Sequence, residues 1–266
     1  MQKLLLPLLF ISTLLQGETL TLEHKGKKHI TVSLKQIQKF SPINIQVFEP
    51  HEKNEVTYRG IALNALLEKS LGESWRKSDL VVFTCEDGYQ ATVNTERLIQ
   101  EKAYLVYGRA DSKDFQVNNV LQGEKNIPLG PYYLVWDNQK WPPEKRDLAE
   151  GWPYQVVSLN VTHFENVFPK MAPPEGSTKD AKEGFTHFRT YCMACHRING
   201  TGGIKGPELN HPVSVTEYFK PGWIERWILE PTKIRTGTNM PGLNESLPNR
   251  KKIAKQIVAY LNALNQ

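Results

Sequence analysis

The sequence of 266 residues lacks the run of about 18–20 apolar residues that a membrane-spanning helix requires. Its longest apolar stretch, from Leu4 to Leu15, follows one basic residue, Lys3, and ends at Gly17. This order is typical of a secretory signal peptide, which predicts that residues 1–17 are removed on export. The mature chain then has no spanning helix. The alternatives are a buried N-terminal helix and a retained N-terminal anchor.

Cysteine is also scarce, with three residues in the whole chain. Cys85 lies far upstream of the other two, so one chain cannot supply a four-thiolate zinc site. Residues 192–196 read Cys-Met-Ala-Cys-His, and C-x-x-C-H is the attachment signature of a c-type haem. Cys192 and Cys195 can each add to a vinyl group of one porphyrin, and His196 then offers a ring nitrogen to the iron. A zinc site or a redox dithiol is the alternative, but the dithiol motif accompanies a βαβ pattern that these Gly-rich flanks lack.

Methionine is limited to four positions, which are Met1, Met171, Met193 and Met240. Met1 belongs to the signal peptide, Met171 precedes the haem motif, and Met193 lies between the two cysteines. This elimination predicts Met240 as the second axial ligand of the iron, opposite His196. A thioether ligand raises the reduction potential relative to two histidines. The alternatives are Met240 as a core residue and His211 as the second ligand.

The charge distribution differs between the two parts of the chain. Residues 18–174 carry 19 Lys and Arg against 20 Asp and Glu, a net charge of −1, whereas residues 175–266 carry 13 against 8, a net charge of +5. This excess is far below the footprint of a nucleic-acid-binding protein. A weakly basic surface favours a redox partner with an acidic docking face.

The division into two domains follows from composition. Residues 166–180 contain three prolines and a glycine with few apolar residues, which predicts a linker. Before it, residues 18–165 show short alternating or buried apolar runs that predict a β-rich domain with one helix near residues 61–70. After it, residues 181–266 have helical periodicity. The expected fold class is therefore α+β with two domains.

The C-terminal part resembles the class I cytochrome c family. Gly184 and Phe188 lie eight and four residues before Cys192, and Tyr260 lies on a helix with apolar residues at i, i+4, i+7 and i+8. In the family the first and last helices cross at a Gly–aromatic contact, and these residues match it. The Gly-Pro-x-Leu at residues 206–209 also matches. The resemblance implies an all-α domain in which the carbonyl of Pro207 accepts a hydrogen bond from His196.

The N-terminal part resembles the molybdopterin-binding fold of sulfite oxidase over residues 25–165. The resemblance rests on Tyr-Arg-Gly-Ile-Ala-Leu at 58–63, on Val-Val-Phe-Thr-Cys-Glu-Asp-Gly-Tyr at 81–89 and on two later Pro-Tyr segments. In that family one cysteine binds molybdenum, and Cys85 stands near its position. The sequence then departs from the family, because Asp87-Gly88-Tyr89 replaces an Asn- and Arg-rich stretch. We therefore expect a buried free thiol, a tight turn and no molybdopterin.

Together these resemblances imply a periplasmic protein with one covalent haem c that transfers single electrons. With His196 and Met240 on the iron, no position stays open for substrate, which favours electron transfer over oxygen binding. The N-terminal domain would then serve docking or binding. The second hypothesis is a molybdenum-dependent oxidoreductase with Cys85 as the metal ligand, passing electrons to its own haem. The third is an interaction module with a structural haem.

Overall fold

The structure is a computed structural model that describes residues 19–24, 28–120, 123–245 and 247–265. It is mixed α and β, and the division into a β-rich N-terminal region and a helical C-terminal region is confirmed. The predicted signal peptide, residues 1–17, lies outside the described residues. Within those ranges, every helix is too short or too polar to cross a membrane.

The strands are β1 (Thr19–His24), β2 (Lys28–Ser33), β3 (Ile43–Glu49), β4 (Asn54–Ala62), β5 (Leu80–Cys85), β6 (Gln90–Asn94), β7 (Ala103–Arg109), β8 (Gln116–Asn119), β9 (Glu124–Pro128), β10 (Tyr133–Trp136), β11 (Val156–Thr162), β12 (Arg197–Ile198) and β13 (Thr201–Gly202). The α-helices are α1 (Leu34–Ile37), α2 (Leu63–Leu71), α3 (Thr95–Gln100), α4 (Pro143–Arg146), α5 (Phe164–Val167), α6 (Lys179–Tyr191), α7 (Val215–Tyr218), α8 (Trp223–Leu229), α9 (Pro231–Ile234) and α10 (Arg250–Ala263). A 3-10 helix spans Glu73–Lys77.

The N-terminal region is built on two sheets that share one core. The first has the order β2-β1-β11-β5-β6, in which β1 and β11 are parallel and the other neighbours are antiparallel. The second is antiparallel with the order β10-β7-β4-β3. Buried side chains of both sheets and of α2 form a single apolar cluster. The leucines at positions 63, 66, 67 and 71 give α2 the apolar face that this core needs.

Strand β5 explains why its sequence reads as a continuous apolar run. Val81 and Phe83 point into the core of the N-terminal region. Leu80 and Val82, on the opposite face, pack in a second core with Phe188 of α6. Because side chains alternate across a strand, a strand buried on both faces is apolar at every position. The first sheet therefore lies between the two cores.

The second core is organised by α6 and α10 and reaches back before the helices. Phe168 and Met171 are buried in it, although they belong to the segment 166–180 predicted as a linker. Helix α6 begins at Lys179, inside the same segment. The C-terminal region also contains a short hairpin, β12–β13, whose strands have two residues each. The prediction of an all-α unit did not include it. Part of the segment predicted as a linker therefore packs in the second core.

A buried polar cluster stands at the end of β3. The Glu49 side chain, 0% exposed, accepts hydrogen bonds from the Tyr58 hydroxyl at 2.7 Å and from the Tyr133 hydroxyl at 3.0 Å. The Nδ1 atom of His51 lies 2.8 Å from Glu49 Oε1. Burial would raise the pKa of Glu49, but the contacts with His51 and Tyr58 outweigh it and hold that pKa below its ordinary value. Glu49 is therefore an ionised carboxylate inside the core.

We expect Glu49→Gln to lower the free energy of unfolding at neutral pH by about 3 kcal/mol, because an amide places donors against the donors of His51 and the two tyrosines. The contribution of a carboxylate with a depressed pKa is present above its unfolded pKa and disappears as the pH falls through the folded pKa. The difference between wild type and variant should therefore shrink below about pH 4. Denaturant unfolding at several pH values measures it. Glu175→Gln, at an exposed carboxylate, is the control and should change little. Equal effects of the two variants would contradict the prediction.

Candidate haem-binding site

The cysteines of the motif lie on a tight turn at the C-terminal end of α6. The helix starts where the Thr178 hydroxyl accepts a hydrogen bond from Ala181 N at 3.2 Å. It ends at Cys192, whose N–H bonds to Phe188 O at 2.9 Å. The N–H groups of Cys195 and His196 then both bond to Cys192 O, at 3.1 and 3.0 Å. This turn, residues 192–196, is called the attachment turn below.

Both thiols of the attachment turn are free and half-buried. Burial, followed by the neighbouring Cys195, raises the pKa of Cys192 to about 12. Burial likewise raises the pKa of Cys195, with Asp87 adding to the effect and Lys205 opposing it. Both are therefore thiols at neutral pH.

The imidazole of His196 is fixed in one tautomer by a backbone carbonyl. Its Nδ1 lies 2.8 Å from the carbonyl oxygen of Pro207, so the predicted hydrogen bond is confirmed. Since a carbonyl only accepts, the proton is on Nδ1 and the lone pair is on Nε2. Burial lowers the pKa of His196 and outweighs the opposing hydrogen bond to Pro207, which keeps the ring neutral. A neutral imidazole with a fixed tautomer is the state that binds iron.

Two glycines allow the loop after the hairpin β12–β13 to lie against the attachment turn. A Cβ atom on Gly206 would lie 2.5 Å from Cε1 of the His196 ring, and one on Gly203 would lie 1.8 Å from Ala194 O. Gly206 N also bonds to Cys195 O at 2.8 Å. The carbonyl of Pro207 reaches the histidine only because no side chain separates them.

The position of Pro207 is also fixed by hydrogen bonds to the neighbouring Glu208, which the sequence did not predict. The carboxylate of Glu208 accepts hydrogen bonds from three backbone N–H groups, those of Asn199 at 3.1 Å, Gly200 at 3.0 Å and Asn210 at 3.2 Å. Glu208 thereby ties the segment after Pro207 to the β12–β13 turn. The only signal in the sequence was an acidic residue beside a Gly-Pro pair, which gives no indication of its partners.

Met240 is half-buried in the irregular segment that precedes Leu243. Its sulfur accepts a hydrogen bond from Trp227 Nε1 at 3.2 Å, and its N–H bonds to Thr238 Oγ1 at 3.3 Å. A thioether sulfur has two lone pairs, so one remains for a metal when the indole occupies the other. The indole of Trp227 thus contacts the residue predicted as the second axial ligand.

The other candidates for the second ligand lie elsewhere. Met171 and Met193 are 0% and 1% exposed and belong to the second core. His211 is exposed and lines an open surface depression beside Lys170 and Arg197. These positions favour Met240 as the second ligand.

The predicted crossing of the first and last helices is present. A Cβ atom on Gly184 would lie 1.8 Å from Gln256 O, so the backbones of α6 and α10 touch. The rings of Phe188 and Tyr260 have centroids 5.3 Å apart, and the Tyr260 hydroxyl donates to Met171 O at 2.6 Å. This packing fixes the direction in which α6 delivers Cys192.

Cys85 lies near the attachment turn, since Cys195 is among the groups that raise its pKa. It is 4% exposed at the end of β5, and burial, then Asp87, raises the pKa of its thiol far above the usual range. The turn that follows contacts the attachment turn, because Gln90 N bonds to Ala194 O at 2.8 Å. Cys85 is therefore buried and protonated at neutral pH.

Comparisons with known proteins support the assignment of the C-terminal region. Residues 181–265 match the model of the cytochrome c family. No curated protein matches the chain. Among solved structures, the sulfane dehydrogenase SoxCD from Paracoccus pantotrophus matches with 12% identity and a TM-score of 0.36, covering 55% of this chain and 38% of that chain. Residues 181–265 are thus a cytochrome c domain, which implies covalently bound haem c and electron transfer through it.

Proposed function

We propose that the protein is a periplasmic electron carrier with one haem c, attached through Cys192 and Cys195 and bound at the iron by His196 and Met240. The observation that carries the proposal is the geometry of His196. His196 lies on the turn that presents the two thiols, and its Nδ1 donates a hydrogen bond to the carbonyl oxygen of Pro207 at 2.8 Å. The donor set of two thiols, one neutral imidazole and one thioether fits haem c, which supplies one-electron chemistry when bound.

The residues around the site serve that chemistry by holding the ligands still. Glu208 fixes the segment that carries Pro207, and Trp227 fixes the sulfur of Met240. An electron carrier benefits from ligands that keep their positions in both oxidation states, because little then has to move when an electron arrives. The net charge of +5 on residues 175–266 supports a partner with an acidic docking face.

The N-terminal region is proposed to be a sulfite oxidase-like domain that docks or binds without molybdenum. Two observations support this proposal. Cys85 is buried, and the attachment turn packs next to the strand end that carries it, where Gln90 N bonds to Ala194 O. The second candidate keeps Cys85 as a molybdenum ligand, which is favoured by its place at the end of an apolar strand. Metal analysis of the exported protein separates the two. One iron and no molybdenum per chain supports the carrier, whereas near-stoichiometric molybdenum overturns it.

We expect Met240→His to lower the reduction potential by a sizeable part of the roughly 0.8 V range that axial ligands span, because a second imidazole stabilises ferric iron. The weak charge-transfer band of a ferric Met–iron bond should vanish at the same time. Potentiometric titration and visible spectroscopy measure both. Met171→Leu is the matched control, since Met171 is buried in the second core and should leave band and potential unchanged. A band that survives in Met240→His would show that another residue is the ligand.

A further inference from the structure

The turn between β5 and β6 is the part of the N-terminal region that meets the attachment turn. It comprises residues 86–89 and is called the docking turn. Gly88 has φ +83°, and its N–H bonds to Cys85 O at 3.0 Å. Tyr89 N bonds to Asp87 Oδ1 at 3.0 Å. A turn closed by these two bonds and by a left-handed glycine has a defined shape, so it can act as a rigid contact.

The docking turn is bonded to the cytochrome c domain on both of its sides. On one side Gln90 N, which directly follows the turn, bonds to Ala194 O at 2.8 Å; on the other, Ile204 N bonds to Gly88 O at 3.0 Å. Asp87 Oδ2 and Lys205 Nζ lie 2.7 Å apart. The two side chains of this ion pair are 34% and 42% exposed, so solvent weakens it, and the backbone bonds carry most of the positional information.

The segment that the docking turn touches is the one that holds the proximal histidine. Ile204 and Lys205 lead directly into Gly206, which packs on the His196 ring, and Pro207, whose carbonyl takes the Nδ1 hydrogen. From the other side, Gly203 N bonds to Met193 O at 3.0 Å. Residues 203–207 are therefore held between the attachment turn and the docking turn.

We propose that the docking turn of the N-terminal region positions the Pro207 carbonyl on His196 and so tunes the reduction potential of the haem. The inference rests on the proposed function, in which His196 binds the iron. A hydrogen bond from Nδ1 to a carbonyl makes Nε2 a stronger donor, which stabilises ferric iron. Loosening the docking turn weakens that bond and favours ferrous iron. Asp87, Gly88 and Lys205 are positioning residues in this account, and none of them touches the haem iron.

The test is Gly88→Ala in the full-length, haem-loaded protein. A Cβ atom at Gly88 would lie 2.1 Å from Cγ1 of Ile204, so the added methyl group pushes the docking turn away without changing any charge. We expect the equilibrium constant for one-electron reduction to rise about threefold, equivalent to about 30 mV. The matched control is Gly176→Ala. Gly176 has the same φ of +83° with nothing within 4 Å of its Cβ position, so it reproduces the backbone strain alone.

The second variant is Asp87→Asn combined with Lys205→Gln, which removes the ion pair and keeps the net charge. Its potential should also rise relative to the wild type, by less than in Gly88→Ala because the ion pair is partly exposed and adds only part of the contact. If Gly88→Ala yields no haem-loaded protein, this variant alone decides. A potential equal to that of wild type in the double variant, or a shift in Gly88→Ala no larger than in Gly176→Ala, overturns the inference. A different observation would contradict the proposed function, namely the absence of the Met–iron band in the wild-type protein.

Discussion

Replacing both Cys192 and Cys195 with alanine is expected to abolish covalent attachment of haem to the chain. The two thiols lie on one turn, in which Cys195 N bonds to Cys192 O at 3.1 Å, and each is expected to form one thioether. Without sulfur at either position, the motif cannot form a thioether to the porphyrin. Haem staining after denaturing electrophoresis and the intact mass of the chain measure the loss. Each single variant should keep one thioether and retain part of the stain.

Cys85→Ala is the matched control for this prediction, because it removes the third and last thiol of the chain. Cys85 is buried among the apolar side chains of the N-terminal region's core, so the change leaves a small cavity and causes a modest loss of stability. Haem staining should remain at the wild-type level. Haem that survives denaturation in the double variant would show a different linkage. Loss of staining in Cys85→Ala would show that this thiol takes part in attachment.

The sequence was most informative where the chemistry depends on residues close together along the chain. The attachment motif occupies five consecutive residues, and its distance to Gly184 and Phe188 is set by the period of one helix. The hydrogen bond from His196 to Pro207 also spans only eleven positions. Short spacings of this kind survive folding unchanged, so the motif was predictable from the residues themselves. The helix crossing, which joins positions more than 70 residues apart, and the hydrogen bond to Pro207 were predicted because the resemblance to class I cytochromes c implied them.

Contacts between distant positions were not predictable in the same way. Glu49 meets Tyr133 across 84 positions, and the docking turn meets the loop at residue 204 from a different region of the chain. No local pattern distinguishes Asp87-Gly88-Tyr89 as a turn that contacts another region from a turn that faces water. The position of Trp227 beside Met240 also depends on how the segment after α9 folds back. These pairings follow from tertiary packing alone.

Strand β4 shows a second reason why a strand can be difficult to predict from the sequence. Val56 and Tyr58 are buried in alternation, but Gly60 interrupts the apolar pattern. A Cβ atom at Gly60 would lie 2.4 Å from Leu105 O on β7, and the pairing of β4 with β7 shifts register between Arg59 and Gly60. A glycine at such an irregularity permits close approach of two strands, yet in a sequence it indicates a strand end.

Gly184→Ala should destabilise the cytochrome c domain by about 3 kcal/mol or more. A Cβ atom there would lie 1.8 Å from Gln256 O and 3.0 Å from Tyr260 Cβ, so α6 and α10 must move apart along their whole contact. Helix propensity acts in the opposite direction, because alanine is favoured over glycine by about 1 kcal/mol inside a helix. The steric conflict is larger because it involves backbone that cannot rotate away. The midpoint of thermal unfolding of this domain should fall by about 12–24 °C, because a domain of 60–100 residues shifts by about 4–8 °C for each kcal/mol.

The direction in which the unfolding midpoint shifts shows whether steric conflict or helix propensity dominates in α6. Thr186→Ala, at an exposed position two residues further along α6, adds the same propensity without meeting α10 and should leave the unfolding midpoint unchanged or slightly higher. If Gly184→Ala also raised the midpoint, the helices would not be in backbone contact. A fall confined to Gly184→Ala means that the crossing, and not the intrinsic stability of α6, holds Cys192 where the haem must be attached. Because α6 delivers the attachment turn, haem incorporation should fall together with stability in that variant alone.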